Sequence, residues 1–126
     1  LRGIMDELLA RLVANVGVDR ETAEKAVGII LDFLVKEGPH DKVQPLLDKL
    51  PGAQALIQAQ QASDAGGGMF AMGGLMGAGT KMMAAGLSMG QVQAVTKEVI
   101  AFSREKAGED AVGEIVGSIP GLSQFV

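Results

Sequence analysis

Two stretches of this 126-residue chain decide its fold: GVDRETAEKAVGIILDFLVKEGPHDKVQPLLDKLPG at residues 17–52 and GLSMGQVQAVTKEVIAFSREKAGEDAVGEIVGSIPG at residues 86–121. They align without a gap at an offset of 69 residues. The identical pairs are Gly17 and Gly86, Phe33 and Phe102, Asp41 and Asp110, Val43 and Val112, and Pro51-Gly52 and Pro120-Gly121. Because identities at cap, turn and core positions together require a common structure, the alignment predicts an internal duplication.

The first copy has the hydrophobic spacing of helices. Apolar residues recur every three or four positions over residues 3–16, which predicts a first helix that ends at Gly17. Asp19 is expected to cap a second helix that stops at Gly38-Pro39, with Asp32 on its solvent side.

Shorter helices are predicted after this point. Asp41 can cap a third helix, which ends at Pro51-Gly52, and the Ala- and Gln-rich residues 53–62 predict a fourth. In the second copy, Ser88 and Gln91 have the spacing of a capping box.

The glycine-rich stretch is where the duplication makes its strongest prediction. Residues 70–85 align with residues 1–16, so they are expected to be helical although each interior glycine costs about 0.8–1 kcal/mol. Gly66 to Gly68 is predicted to be a flexible linker.

These patterns predict an all-α fold, a single helical bundle built from two tandem copies of a helical repeat related by a pseudo-two-fold axis. The expected organisation is one domain over residues 1–126, with repeat one at 1–57, a linker with the fourth helix at 58–69, and repeat two at 70–126. Each copy is expected to bury the apolar stripe of the other.

Composition excludes several classes of function. Eleven Lys and Arg are outnumbered by fifteen Asp and Glu, which argues against nucleic acid as a partner. With no cysteine and one histidine we expect no metal site, no cofactor and no catalytic residues, and so no enzymatic activity. A phosphate loop is rejected because Thr80 precedes Lys81, the reverse of the required order.

The titratable residues near the helix starts have simple explanations. His40 lies at a helix entrance, where a solvated loop residue is the ordinary interpretation. Glu109, Asp110 and Glu114 lie near the start of a predicted helix, where negative charge complements the helix dipole.

The low-charge segment from Met69 to Met89 is the expected contact surface. Five of the seven methionines lie between residues 69 and 83, and Lys81 is the only formal charge from Ala65 to Thr96. Its uncharged run before Lys81 is shorter than a membrane span of roughly twenty apolar residues. The candidate contact residues are Met69, Phe70, Met72, Gly73, Met76, Gly77, Met82 and Met83.

The stretch from Gly17 to Ile57 resembles the VcgC/VcgE-like domains, small bacterial helical proteins of unknown function. The resemblance lies in its capped helix, the shorter helix that follows, and the Leu50-Pro51-Gly52 ending. Residues 86–126, with their Ile119-Pro120-Gly121 ending, resemble the same unit. The resemblance implies a bacterial protein with no assigned activity, and it transfers no site residues.

We therefore expect a non-enzymatic interaction or scaffold module that contacts a protein partner or a second copy of itself. The alternative is a carrier for an apolar ligand such as an acyl chain, or a protein that binds a membrane surface. The N-terminal residues do not have the pattern of a secretory leader, so a cytoplasmic location is expected. Because the chain begins with Leu1, the removal of a leader from a longer product is the alternative.

Overall fold

The protein is all-helical over the residues described by its structure, a computed structural model that covers residues 3–64, 74–119 and 121–124. The helices in chain order are α1 (Ile4–Asn15), α2 (Arg20–Glu37), α3 (His40–Asp48), α4 (Ala53–Asp64), α5 (Gly74–Ala84), α6 (Met89–Ala107) and α7 (Glu109–Ser118), followed by a 3-10 turn at Leu122–Gln124.

The predicted helix caps at the starts of α2 and α6 are confirmed. Asp19 accepts a hydrogen bond from the backbone N–H of Thr22 at 2.9 Å. Ser88 Oγ accepts from the N–H of Gln91 at 3.2 Å, and Gln91 Oε1 accepts from the N–H of Ser88 at 2.9 Å. These bonds satisfy backbone donors that the first turn of each helix leaves unpaired.

The turns before these two helices need glycine. Gly17 has a φ of +86° and Gly86 a φ of +112°, values in the left-handed region that other L-residues rarely adopt. The chain therefore reverses direction at both positions without strain.

The glycine-rich stretch is helical from Gly74 to Ala84, in agreement with the helix predicted over residues 70–85. Residues 70–73 and the predicted linker at Gly66 to Gly68 lie outside the described residues. Ala78 and Met82 are buried, because α5 packs between α2 and α6. This packing compensates for the poor helix propensity of the segment.

Some predicted helix details were wrong. The third helix begins at His40 with Pro39 as its N-cap residue, so Asp41 lies in the first turn and does not cap it. Val13, expected in the apolar stripe of α1, is 40% exposed. The fourth helix continues to Asp64.

Asp32 is the largest departure from the predicted pattern, since it is only 2% exposed. Its carboxylate lies 3.0 Å from Lys36 Nζ and accepts a hydrogen bond from Gln61 Nε2 of α4, also at 3.0 Å. A buried carboxylate needs such partners, and the sequence pattern of α2 alone does not reveal the one on α4.

The core is continuous across the two halves of the chain. α1 packs on both α2 and α6, α5 packs on the same two helices, and α3 packs on α7. Phe33 of α2 and Phe102 of α6 are both buried in this core.

Gly28 lets α4 lie unusually close to α2. A Cβ atom at this position would be 2.8 Å from the backbone oxygen of Leu56 and 3.4 Å from Cβ of Gln60. Because the nearest atom is backbone, α4 itself would have to move to make room for a side chain.

We predict that Gly28→Ala destabilises the protein by about 1 kcal/mol, since overpacking of about 1–3 kcal/mol outweighs a helix-propensity gain of about 0.8–1 kcal/mol. Urea denaturation measures the change. Gly113→Ala is the matched control, because Gly113 lies within α7 and the space that a methyl group would occupy there is open. It should stabilise by roughly 0.5–1 kcal/mol, and equal effects of both substitutions contradict the close packing.

The Asp19 cap should make stability depend on pH. The hydrogen bond from Thr22 lowers the pKa of Asp19 below its ordinary value. Its contribution is therefore complete above the ordinary pKa of aspartate and is lost as pH falls through the lower pKa of the folded state.

The wild type should therefore lose its higher urea midpoint over Asp19→Ala as the pH falls from the ordinary pKa of aspartate through the lower pKa of Asp19 in the folded state. Ser88→Ala removes the corresponding cap of α6. Because a hydroxyl does not titrate in this pH range, the difference in urea midpoint between the wild type and Ser88→Ala should stay constant. A constant gap for Asp19→Ala speaks against the charged cap.

Candidate functional site

The structure separates the predicted contact residues into three groups. Met69, Phe70, Met72 and Gly73 lie outside the described residues, and for Met76 only its place in α5 is described. Gly77 and Met82 were predicted to lie on the contact surface, but both are buried and do not contribute to an exposed surface. Met83 is 48% exposed.

Helix geometry explains why Met82 is buried and Met83 is exposed. Ala78 and Met82 are four residues apart, so they lie on the same face of α5 and point into the core. The next residue along a helix is rotated by about 100°, which carries Met83 out of the core.

Met89 lies close to Met83 along the chain and is 65% exposed at the first position of α6. We call residues 83–90 the α5–α6 corner. Backbone bonds hold this corner in place, since the N–H of Ala85 donates to Lys81 O at 3.0 Å and the N–H of Leu87 donates to Met82 O at 3.2 Å. Leu87 itself is buried and fixes the corner to the core.

The α5–α6 corner is uncharged. No Asp, Glu, Lys or Arg occurs from residue 83 to residue 96, and Ala84, Gly86, Ser88 and Gly90 are exposed beside the two methionines. The arrangement is a small apolar surface with two flexible thioether side chains, which can adapt to an irregular partner.

A groove of about 380 Å³ lies between α1 and α6. Its lining residues are Arg11, Asn15 and Val16 of α1 and the turn after it, with Ala94, Lys97, Glu98 and Ala101 of α6. The sequence alone did not predict this groove, because it forms only where helices from the two halves of the chain meet.

Arg11 ties the two walls of the groove together. It lies 3.3 Å from Glu98 and 3.0 Å from Glu105, and Asn15 donates a hydrogen bond to Glu98 at 3.2 Å. Burial lowers the pKa of Arg11, but the hydrogen bonds and charges of Glu105 and Glu98 together raise it above its ordinary value.

Phe102 packs beneath these charges. The guanidinium carbon of Arg11 and the ammonium of Lys106 each lie 5.3 Å from the centroid of its ring. Lys106 also lies 3.7 Å from Glu7 of α1. The contact between α1 and α6 therefore combines ion pairs with cation–π contacts.

The titratable residues noted in the sequence are placed as follows. Glu109 and Asp110 lie in the first turn of α7, as predicted. Glu114 instead pairs with Lys42 of α3 at 3.0 Å, and this hydrogen bond raises the pKa of Lys42. His40 is exposed at the start of α3.

Within residues 3–64, 74–119 and 121–124, no three His, Cys, Asp or Glu side chains are grouped so that they could hold a metal ion. None of the helices in these same ranges combines the length and apolar character needed to cross a bilayer.

Comparison with known proteins finds no family model, no curated protein and no solved structure that matches the chain. The resemblance to the VcgC/VcgE-like domains stays a prediction.

We predict that Arg11→Met, which keeps the aliphatic part of the side chain, destabilises the protein by about 1 kcal/mol. Partly exposed ion pairs contribute about 0.2–1 kcal/mol and a cation over an aromatic ring contributes about 0.5–1 kcal/mol. Urea denaturation at low and high salt measures the loss, and part of it should persist at high salt, where ion pairs are screened.

Arg20→Met is the matched control, since Arg20 pairs with Asp6 and Glu24 and contacts no ring among the described residues. Its smaller effect should vanish at high salt. If both variants behave alike at high salt, the contact of Arg11 with Phe102 contributes nothing to stability.

Proposed function

We propose that this protein is a non-enzymatic interaction module and that its contact surface is the α5–α6 corner. The observation that carries the proposal is the exposure of Met83 and Met89, at 48% and 65%, on a stretch of fourteen residues without a formal charge. Single exposed apolar residues are common on protein surfaces. Two of them six residues apart on one uncharged and hydrogen-bonded corner are typical of adaptable recognition surfaces.

We also propose that the chain arose by duplication, with repeat one at residues 1–57, repeat two at 70–126 and a pseudo-two-fold relation between them. The starts of α2 and α6, and those of α3 and α7, differ by the same 69 residues. The cap residues Asp19 and Ser88 have φ/ψ of −78°/168° and −79°/168°. The reciprocal packing of α1 on α6 and of α5 on α2 supports the same relation.

The two copies differ at the corner, and this difference supports a function specific to the second copy. Met83 aligns with Ala14, and Met89 aligns with Arg20, which pairs with Asp6 and Glu24. The first copy thus has a polar, charged corner where the second has an apolar one. The fold itself does not require exposed methionines at these two positions, because the first copy has Ala14 and Arg20 there.

Helix α5 has also lost the large side chains of its counterpart. Leu8 and Leu12 of α1 are fully buried, whereas the aligned residues of α5 are Gly77 and Lys81. Since α1 supplies more of the core, α5 has more freedom to change, which is consistent with a role in recognition.

Site-specific crosslinking in the source cells tests the proposed contact surface. A photoreactive benzophenone side chain replaces Met89 in one variant and Glu21, an exposed residue of the first-copy corner, in the control. We expect a discrete protein adduct from position 89 and none from position 21. The added substitution Met83→Glu should abolish the adduct without changing the thermal midpoint of unfolding.

Identical adducts from both positions, or no adduct from either, contradict the proposal. Flotation of the protein with liposomes that is lost on Met89→Glu, without any protein adduct, supports instead the alternative of a membrane-surface protein. An apolar molecule that remains bound in native mass spectrometry and is lost in that variant supports instead the alternative of a carrier.

A further inference from the structure

One face of α6 is open at its middle although the middle of the aligned face of α2 is covered. We call Gln93, Lys97, Ala101 and Arg104 the α6 open face; in the proposed duplication they align with Glu24, Gly28, Asp32 and Val35. Gly28 and Asp32 are buried, whereas Lys97 is exposed and Ala101 is half-buried. The same position in the repeat is therefore inside the protein in one copy and at its surface in the other.

Helix α4 is what covers this face on α2. It buries Ala53 and Ile57, approaches Gly28 through Leu56, and donates a hydrogen bond from Gln61 to Asp32. The protein thus contains an example of the element that fits this side of the repeat, and that element is an amphipathic helix.

The α6 open face borders the groove between α1 and α6. Lys97 and Ala101 belong both to this face and to the lining of the α1–α6 groove, whose volume is about 380 Å³. The small residues Ala94 and Ala101 line this groove one above the other, seven residues apart along α6, and Arg11 and Lys97 line it with them. A helix laid along α6 would therefore contact small side chains together with these two long ones.

The charge of this face has changed between the copies. The aligned face of α2 has two carboxylates, Glu24 and Asp32, and no cation. The α6 open face has two cations, Lys97 and Arg104, two turns apart on one stripe. Elsewhere Arg11, Arg20, Lys25, Lys36, Lys42 and Lys106 each lie within 4 Å of a carboxylate.

Lys97 and Arg104 differ from these six cations, because neither pairs with a carboxylate in the part of the chain that the structure describes. Lys49 has no such pair there either, but it lies alone after α3, whereas Lys97 and Arg104 share one face of α6. The Nε of Arg104 is buried and has no hydrogen-bond acceptor there. Lys97 is exposed and Arg104 is half-buried, so α6 has two basic side chains on one face without an ion pair within the described residues.

We infer that the α6 open face binds an acidic amphipathic helix of a partner protein, which lies along α6 much as α4 lies along α2. Carboxylates of the partner pair with Lys97 and Arg104, and its apolar side packs on Ala101 and on Met89 at the end of the stripe. The partner helix lies farther out than α4 does, because Lys97 replaces Gly28. This inference rests on the proposed interaction function and names the chemistry of the partner.

NMR titration of the ¹⁵N-labelled full chain tests the inference. The probe is a helix-constrained peptide of the α4 sequence, residues 53–64, with Gln60→Glu and Gln61→Glu; a second peptide carries lysine at both positions. We expect the acidic peptide to shift the amide signals of residues 89–104 and 11–16, and to bind about tenfold more tightly than the lysine peptide.

The variant Lys97→Glu should weaken binding of the acidic peptide by about tenfold and reverse the preference between the two peptides. Lys49→Glu makes the same change of charge at an exposed position after α3, and should leave both affinities unchanged within about twofold. Because Lys97 and Lys49 are both exposed, neither substitution should disturb the fold.

Equal affinity for the two peptides, shifts confined to other helices, or an unchanged affinity of Lys97→Glu overturns the inference. Loss of the same signals on vesicles of phosphatidylglycerol, with no response to the acidic peptide, also overturns it and points to an anionic lipid surface. If crosslinking from Met89 captures a protein but the peptide does not bind, the partner chemistry is wrong and the interaction function stands. Failure of both experiments removes both proposals.

Discussion

Burial of the middle of α2 on every side is the constraint on which the rest of the structure depends. Residues 26–34 are buried without a break, including Gly28 and Asp32, so helices must pack around the whole circumference of α2. Helices α1, α3 and α4 come from the chain before the glycine-rich stretch, and α5 and α6 come from that stretch and the chain after it. Because these five helices all pack on α2, both halves of the chain belong to one core.

Features that depend on nearby residues could be predicted from the sequence. The caps at Asp19 and Ser88 need only a backbone donor three residues away, and the turn at Gly17 needs only a residue that tolerates positive φ. The helix in the glycine-rich stretch was predictable for another reason. Its own propensity is poor, but the alignment with α1 supplied information about packing that the segment itself does not contain.

Features that depend on distant residues could not be predicted. The burial of Asp32 relies on Gln61 in α4, and the groove beside Arg11 relies on Glu98 and Glu105, which lie 87 and 94 residues away along the chain. For the candidate contact surface, the sequence indicated a segment but not which of its side chains face the solvent. One step along α5 separates Met82 in the core from Met83 at the surface, and only the packing of α5 on α2 and α6 decides which is which.

The contact of α4 with Gly28 limits which substitutions α2 can accept. No side chain fits beneath Leu56, so mutation at position 28 is tolerated only if α4 moves away, whereas the aligned position 97 is under no such restriction. A new side chain at position 97 therefore needs no compensating shift of a helix, whereas one at position 28 does. Variants of α6 on this face can change the charge and size of the surface while the packing of α4 on α2 stays intact.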